Sequence, residues 1–220
     1  MPPSPAAVLW DMDGTLIDTE PFWFAAEIEL VGRSGGIWTH EQALSLVGSG
    51  LRDGAKVLQA HGVDMTVEEI VAWQTAFVTD RLVAPLPWRP GALALLSAIR
   101  EAGVPTALVT MSERRMAEAV AAAVPFGGFD LIVAGDDVAR PKPHPEAYLR
   151  AAELLGVDPA ACVAIEDSPP GLAAAVASGA ASIGVPHQAT LPEGDGWRLW
   201  PTLEGRGPED LAALAAELRA

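Results

Sequence analysis

Cysteine is nearly absent from this chain of 220 residues, where Cys162 stands alone. An internal disulfide is therefore excluded, and the composition fits a reducing compartment. The setting of that residue, Ala161-Cys162-Val163-Ala164-Ile165, reads as a small buried hydrophobe rather than a nucleophile. Basic charge is scarce too. Fourteen lysines and arginines face 29 aspartates and glutamates, a formal net charge of −15, which speaks against nucleic-acid binding. A phosphorylated ligand would need local positive charge from a metal or a placed lysine. Histidine occurs four times (His40, His61, His144, His187) without metal-ligand spacing, so no zinc site is read. Long apolar runs are missing, which excludes a membrane-spanning helix. The opening run Met1-Pro2-Pro3-Ser4-Pro5 has neither a basic start nor an apolar signal core, and the expectation is a cytoplasmic protein.

What remains is 50% hydrophobic, enough at this length for a real core in one or two domains. Short apolar runs (Ala6–Trp10, Val104–Val109, Phe129–Ala134, Cys162–Ile165, Ala181–Val185) alternate with helical stretches near Ala92–Ala102, Glu113–Ala123, Pro145–Leu155 and Pro170–Ser178. This alternation predicts an α/β fold, a Rossmann-like parallel sheet with helices on both faces. A capped amphipathic helix is expected over Leu211–Arg219. Between the first two runs lies helical sequence from Pro21 to Leu82, closed by the breaker Val83–Gly91. It is too long for a simple crossover. We read residues 17–87 as an inserted helical cap domain, with 1–16 and 88–220 forming the α/β core.

The chemistry gathers at strand ends, where open α/β sheets bind ligands. The first strand runs into Asp11-Met12-Asp13-Gly14-Thr15. Alternate residues of an extended chain share a side, so Asp11 and Asp13 can face one volume. Two carboxylates there repel, and a divalent cation relieves the repulsion. The second strand ends in Thr110-Met111-Ser112, the fourth in Glu166-Asp167-Ser168, and Lys142 sits between prolines in Arg140-Pro141-Lys142-Pro143. Each has a plainer alternative: Thr110 and Ser112 as caps of the next helix, Glu166-Asp167-Ser168 as another cap, Lys142 as a solvated loop lysine. Acids, a hydroxyl and a lysine on one sheet edge together suit a phosphoryl group with magnesium.

With these motifs in order, the chain resembles the haloacid dehalogenase superfamily, in its branch of phosphatases and phosphomutases with a helical cap after the first strand. Asp11-Met12-Asp13-Gly14-Thr15 matches the first motif, Thr110 the second, Lys142 the third and Glu166-Asp167 the fourth. The resemblance implies Asp11 as nucleophile, Asp13 as general acid and base, and Thr110 and Lys142 as holders of the phosphoryl oxygens. It implies magnesium on the Asp11 carboxylate, the Asp13 carbonyl and Asp167, with Glu166 a direct or outer contributor. The implied partner is a small phosphorylated metabolite, and the chain is expected as a monomer or weak homodimer. Trp197 and Trp200 are read either as lining a subunit contact or as buried against the core.

Rival activities separate on single residues. Asp13 argues against dehalogenation, whose enzymes lack the second aspartate. β-Phosphoglucomutases carry a cap histidine near the position of Trp23. Phosphonatases use a cap lysine, and the cap here has only Lys56. A non-enzymatic phosphometabolite-binding module, such as a receiver domain, would be shorter and lack the insertion. Asp18-Thr19-Glu20-Pro21-Phe22-Trp23 is similar to sequences of sugar-phosphate phosphatases, and is read either with Glu20 meeting a sugar hydroxyl and Trp23 its ring, or with Glu20-Pro21 starting a helix and Trp23 in the core. Val47-Gly48-Ser49-Gly50-Leu51-Arg52 stands where relatives place a specificity loop. Ser49, Ser112 and Arg52 are candidates for substrate contact, Arg52 either for a distal anion or as a solvated helix-start arginine.

Overall fold

Six parallel strands form the centre of the computed structural model, which describes residues 3–83 and 85–219. Met1 and Pro2 of the opening run, Ala84 of the breaker and the terminal Ala220 lie outside the described residues. The strands are β1 (Val8–Trp10), β2 (Thr106–Val109), β3 (Leu131–Val133), β4 (Val163–Glu166), β5 (Ala181–Gly184) and β6 (Trp197–Leu199). Their spatial order is β3-β2-β1-β4-β5-β6. Helices α1 (Glu20–Arg33), α2 (His40–Leu44), α3 (Leu51–Ala60) and α4 (Val67–Thr79) separate β1 from the rest. Helices α5 (Ala92–Glu101), α6 (Arg114–Ala122), α7 (Glu146–Leu155), α8 (Pro169–Ala177) and α9 (Pro208–Leu218) cover the sheet. Among the described residues no helix is long and apolar enough to cross a membrane.

Alternation along β1 divides the core. Val8 and Trp10 face α5, α6 and α9, whereas Ala7 and Leu9 face α7 and α8. The second face is lined by small residues (Ala147, Ala151, Ala152, Ala174, Ala175) around the buried Tyr148. Cys162 is buried there, and burial pushes its thiol up to about 11, which fits the reading of an unreactive hydrophobe. The expected helices and strands are present, but β6 is additional. It is a three-residue, half-buried edge strand after a Gly- and Pro-containing loop, too short for its periodicity to register. Its neighbour Trp200 is buried in the core, and Trp197 is half-buried, its indole donating to the Pro192 carbonyl (3.0 Å).

Among the described residues, the helical stretch expected in the insertion consists of the four helices α1–α4. Thr39 with Gln42 and Thr66 with Glu69 form reciprocal caps that start α2 and α4. Leu30, Val31, Leu58, Ile70 and Val71 pack with Trp38 into an apolar cluster of their own. At the base of the insertion two chain segments run side by side. Asp18 N–H donates to Pro87 O (2.8 Å) and Arg89 N–H to Leu16 O (2.9 Å). Ile17 and Trp23 pack into the main core.

Candidate active site

Because β1, β2 and β4 are parallel neighbours, their carboxyl ends share one edge, and the sheet order reverses at β1. The ladder continues one residue past the strands: Asp11 N–H donates to Ile165 O (3.0 Å) and Thr110 N–H to Val133 O (2.9 Å). Asp11 and Asp13 both line the cavity beyond this edge, while Met12 between them is buried in the core. Gly14, at φ +81°, turns the chain so closely that an added Cβ would lie 2.0 Å from Asp167 Oδ2.

Lys142 is buried. Its ammonium donates to Asp11 Oδ1 (2.7 Å), Glu166 Oε1 (2.6 Å) and the Val109 carbonyl (3.0 Å), so it is no solvated loop lysine. Glu166 also accepts from Tyr148 (2.5 Å) and Ser168 (3.2 Å), which leaves it facing protein rather than the cavity. Ser168 alone caps α8, through Gly171 N–H, and Asp167 takes a bond from the Thr15 hydroxyl (3.3 Å). Nor do Thr110 and Ser112 cap α6, whose N-cap is Glu113. Their hydroxyls donate to Asp13 Oδ2 (3.1 and 2.7 Å), and Thr19 and the Trp23 indole donate to Asp13 Oδ1 (2.6 and 3.0 Å). Asp13 is thus gripped from both the sheet and the inserted helices.

The charges are closely coupled. Burial pushes the Asp11 carboxyl up to about 7, reinforced by the charge on Glu166 and opposed by Lys142. Burial raises Asp167 well above the usual carboxylate range, aided by Asp11 and Glu166. Burial works against the Lys142 ammonium, but the charges of Asp11 and Glu166 outweigh it and hold its pKa above that of an ordinary lysine. Two oxygens of this cluster, Asp11 Oδ2 and Asp167 Oδ2, are buried with no hydrogen-bond partner among the described residues. The Asp13 carbonyl likewise accepts no hydrogen bond from them. One carboxylate oxygen each of Asp11, Glu166 and Asp167 lies within 4.8 Å of the others. An all-oxygen donor set with surplus negative charge and unpartnered lone pairs fits a hard divalent cation.

Above this cluster the cavity, about 690 Å³ including its open mouth, is walled by the inserted helices. Glu20, Trp23 and Ser49 line it. Arg52 does not. Helix α3 begins at Leu51, whose side chain reaches the cavity, and the next position points outward into a neighbouring groove beside Lys56 and Pro141. Lys56 is exposed and pairs with Asp53 (2.8 Å).

Four residues to which the sequence alone assigns no role of their own belong to this region: Thr15, Tyr148, Glu27 and Gln74. Tyr148 is the only tyrosine in the chain. Glu27 follows Glu20 and Trp23 at helical spacing, so one face of α1 carries all three. It is buried, accepts from the Trp38 indole (2.9 Å), and burial pushes its carboxyl up to about 7, the Trp38 bond opposing. The unfolded carboxyl ionises near 4.5. Between these values the folded state keeps a proton that the unfolded state has lost, so rising pH removes stability, about 3 kcal/mol in all. Above about pH 7 the loss is complete. Glu27→Gln keeps an acceptor for Trp38 and abolishes the ionisation. Its melting temperature should therefore gain on wild type between pH 5 and pH 8; a pH-independent difference would refute the assignment.

Comparison with known proteins follows the same lines. The family model for haloacid dehalogenase-like hydrolases matches residues 5–179. Protein CbbY of Rhodobacter capsulatus is 33% identical over 208 residues, covering 84% of this chain and 86% of that protein. Hexitol phosphatase A of Escherichia coli is 32% identical, covering 84% of each. A crystal structure of a CbbY variant from Rhodobacter sphaeroides, in complex with xylulose-(1,5)bisphosphate, superposes with a TM-score of 0.84 at 29% identity, covering 94% of this chain and 99% of that one. Motif order, sheet topology and these matches agree that the chain belongs to the haloacid dehalogenase-like hydrolases.

Proposed function

We propose that this hydrolase is a magnesium-dependent phosphatase that cleaves a small sugar-phosphate monoester through an aspartyl-phosphate. One observation carries the reading: Asp11, with a buried and unpartnered oxygen, stands beside Lys142 in a cavity that Asp13 and Asp167 also line. The Asp11 carboxylate attacks phosphorus, an Asp11–phosphorus bond forms, and the ester P–O bond breaks. Asp13 gives a proton to the departing alkoxide and then takes one from the water that attacks the phosphoryl group. Phosphate leaves and Asp11 is regenerated. Thr110, Ser112 and Lys142 hold the phosphoryl oxygens, and Lys142 offsets the charge of the nucleophile. Asp11, the Asp13 carbonyl and Asp167 hold the metal, and Glu166, saturated by Lys142, Tyr148 and Ser168, positions Lys142 from behind. Magnesium, when bound, neutralises charge on the transferring group.

Residues 17–87 act as a cap over the core of 1–16 and 88–220, excluding bulk water during transfer and opening to release product. The paired segments at Asp18–Pro87 and Leu16–Arg89 are the hinge. Trp23, which bonds to Asp13 near the position of the mutase histidine, favours water over a second sugar as acceptor. The test is phosphate release from p-nitrophenyl phosphate. Chelation with EDTA should reduce it to background, added magnesium should restore it, and magnesium should raise the melting temperature of the apoprotein. Release that survives thorough chelation overturns the metal dependence, and no release in excess magnesium overturns the phosphatase reading.

A further inference from the structure

The floor of the cavity is accounted for by phosphoryl transfer, but its roof is not. Glu20, Glu27 and Gln74 line it from α1 and α4, each no more than 5% exposed. Burying such groups without partners is costly, and proteins keep few of them. Among the described residues, neither the Glu20 carboxylate nor the Gln74 amide makes any side-chain hydrogen bond, and Glu27 uses only Oε2, toward Trp38. None of their partnerless oxygens and nitrogens is fully enclosed by protein, and all three residues line the cavity. The three groups therefore present open hydrogen-bonding capacity to whatever occupies the roof.

Charge narrows the occupant. Among the described residues Lys142 is the only cationic side chain lining the cavity, and it sits at the floor beside Asp11 and Glu166. Arg52 and Lys56 lie in the neighbouring groove. A second phosphate or a carboxylate at the roof would be desolvated beside two acidic side chains with no cation to repay the cost. Hydroxyl groups, which both donate and accept, match the two carboxyls and the amide. The Trp23 ring and the apolar walls at Phe24, Leu46 and Val47 suit the carbon faces of such a chain.

We propose that Glu20, Glu27 and Gln74 form a polyol-recognition roof, so that this enzyme selects a monophosphate whose far end is uncharged and hydroxylated and rejects bisphosphates. The inference rests on the phosphatase reading and goes beyond it, because the chemistry at Asp11 does not depend on what lies at the roof. It also separates this chain from the CbbY relative crystallised with xylulose-(1,5)bisphosphate. Trp38 is a positioning residue, since it fixes the free oxygen of Glu27 toward the ligand.

The experiment compares kcat/KM in magnesium for glucitol 6-phosphate, phenyl phosphate and fructose 1,6-bisphosphate. Glucitol 6-phosphate should exceed phenyl phosphate by about tenfold or more and the bisphosphate by about a hundredfold. Glu27→Leu should lower the ratio of glucitol 6-phosphate to phenyl phosphate by about tenfold, chiefly through KM, with Glu27→Gln recovering part of it. Gln74→Lys should raise the ratio of bisphosphate to glucitol 6-phosphate by about tenfold. Binding to the Asp11→Asn variant, measured calorimetrically, should follow the same order without turnover. If phenyl phosphate is hydrolysed but wild type treats the bisphosphate and the polyol phosphate alike, the roof assignment fails and the phosphatase reading stands. If phenyl phosphate is not hydrolysed, the phosphatase reading fails, and the calorimetric order alone decides the roof: preference for glucitol 6-phosphate supports it, and equal or reversed affinity overturns it.

Discussion

Asp11→Asn is expected to abolish turnover and, without metal at pH 8, to raise the melting temperature. The first effect follows from the proposed covalent step. An amide oxygen is a poor nucleophile toward phosphorus, and loss of the attacking group in enzymes of this kind costs on the order of 10⁴-fold or more. Activity above about a hundredth of wild type would rule out Asp11 as nucleophile. The second effect follows from burial. The Asp11 carboxyl sits at about 7 in the fold against a usual 3.8, because desolvation and the Glu166 charge outweigh Lys142. Between those pH values the folded state holds a proton that the unfolded state has released, so stability falls as pH rises and the loss is complete above about 7. Asparagine keeps an oxygen for the Lys142 ammonium and removes the ionisation. The advantage of the variant should therefore shrink toward pH 4, and thermal melts in EDTA at the two pH values read it directly. A variant that is less stable than wild type at pH 8 would mean that the Asp11–Lys142 attraction dominates its desolvation. The two readouts are independent, so a dead and misfolded protein cannot pass for a dead and intact one.

The parts of the molecule legible in the sequence are those governed by local rules. Five of the six described strands stand out as apolar runs because both faces of a parallel sheet are covered. Asp11, Thr110 and Asp167 can be placed on one edge because parallel strands put all their carboxyl ends together. What escaped depends on packing between distant segments. Glu27 is buried and takes the indole bond of Trp38, which is 11 residues away and beyond the end of α1, so no local rule announces the pair. Tyr148 lies on an apolar stripe of α7 that looks like ordinary core until β4 brings Glu166 to its hydroxyl. Arg52 turns outward because α3 starts at Leu51, a boundary that the glycine-rich sequence before it does not fix to within a residue. The donors gathered on Asp13 come from four positions, Thr19, Trp23, Thr110 and Ser112, on two sides of the cavity, and no spacing rule joins them.

Lys142→Met should produce the opposite stability change from Asp11→Asn while also removing activity. Methionine matches the length of the lysine stem, so packing among Met111, Tyr148 and the strand ends is largely kept. What disappears is the one positive charge buried between Asp11 and Glu166, at 2.7 and 2.6 Å. Three buried carboxylates, Asp11, Glu166 and Asp167, then face one another without a counterion from the protein. Breaking a buried ion pair from one side costs about 3–5 kcal/mol, because the stranded charges keep their desolvation penalty and lose the attraction that offset it. For a chain of this size that corresponds to a melting temperature lower by about 10 °C. Magnesium should return part of the loss, since a cation on Asp11 and Asp167 relieves the same repulsion from the other side. It should not return turnover, because in the proposed mechanism the metal does not replace the ammonium that steadies the nucleophile. The pair of variants therefore isolates the balance of the cluster: neutralising an acid stabilises it, and neutralising the base destabilises it. An apoprotein Lys142→Met variant that melts with wild type would mean that the carboxylates are already protonated or solvated, and the excess buried negative charge on which the metal assignment rests would have to be given up.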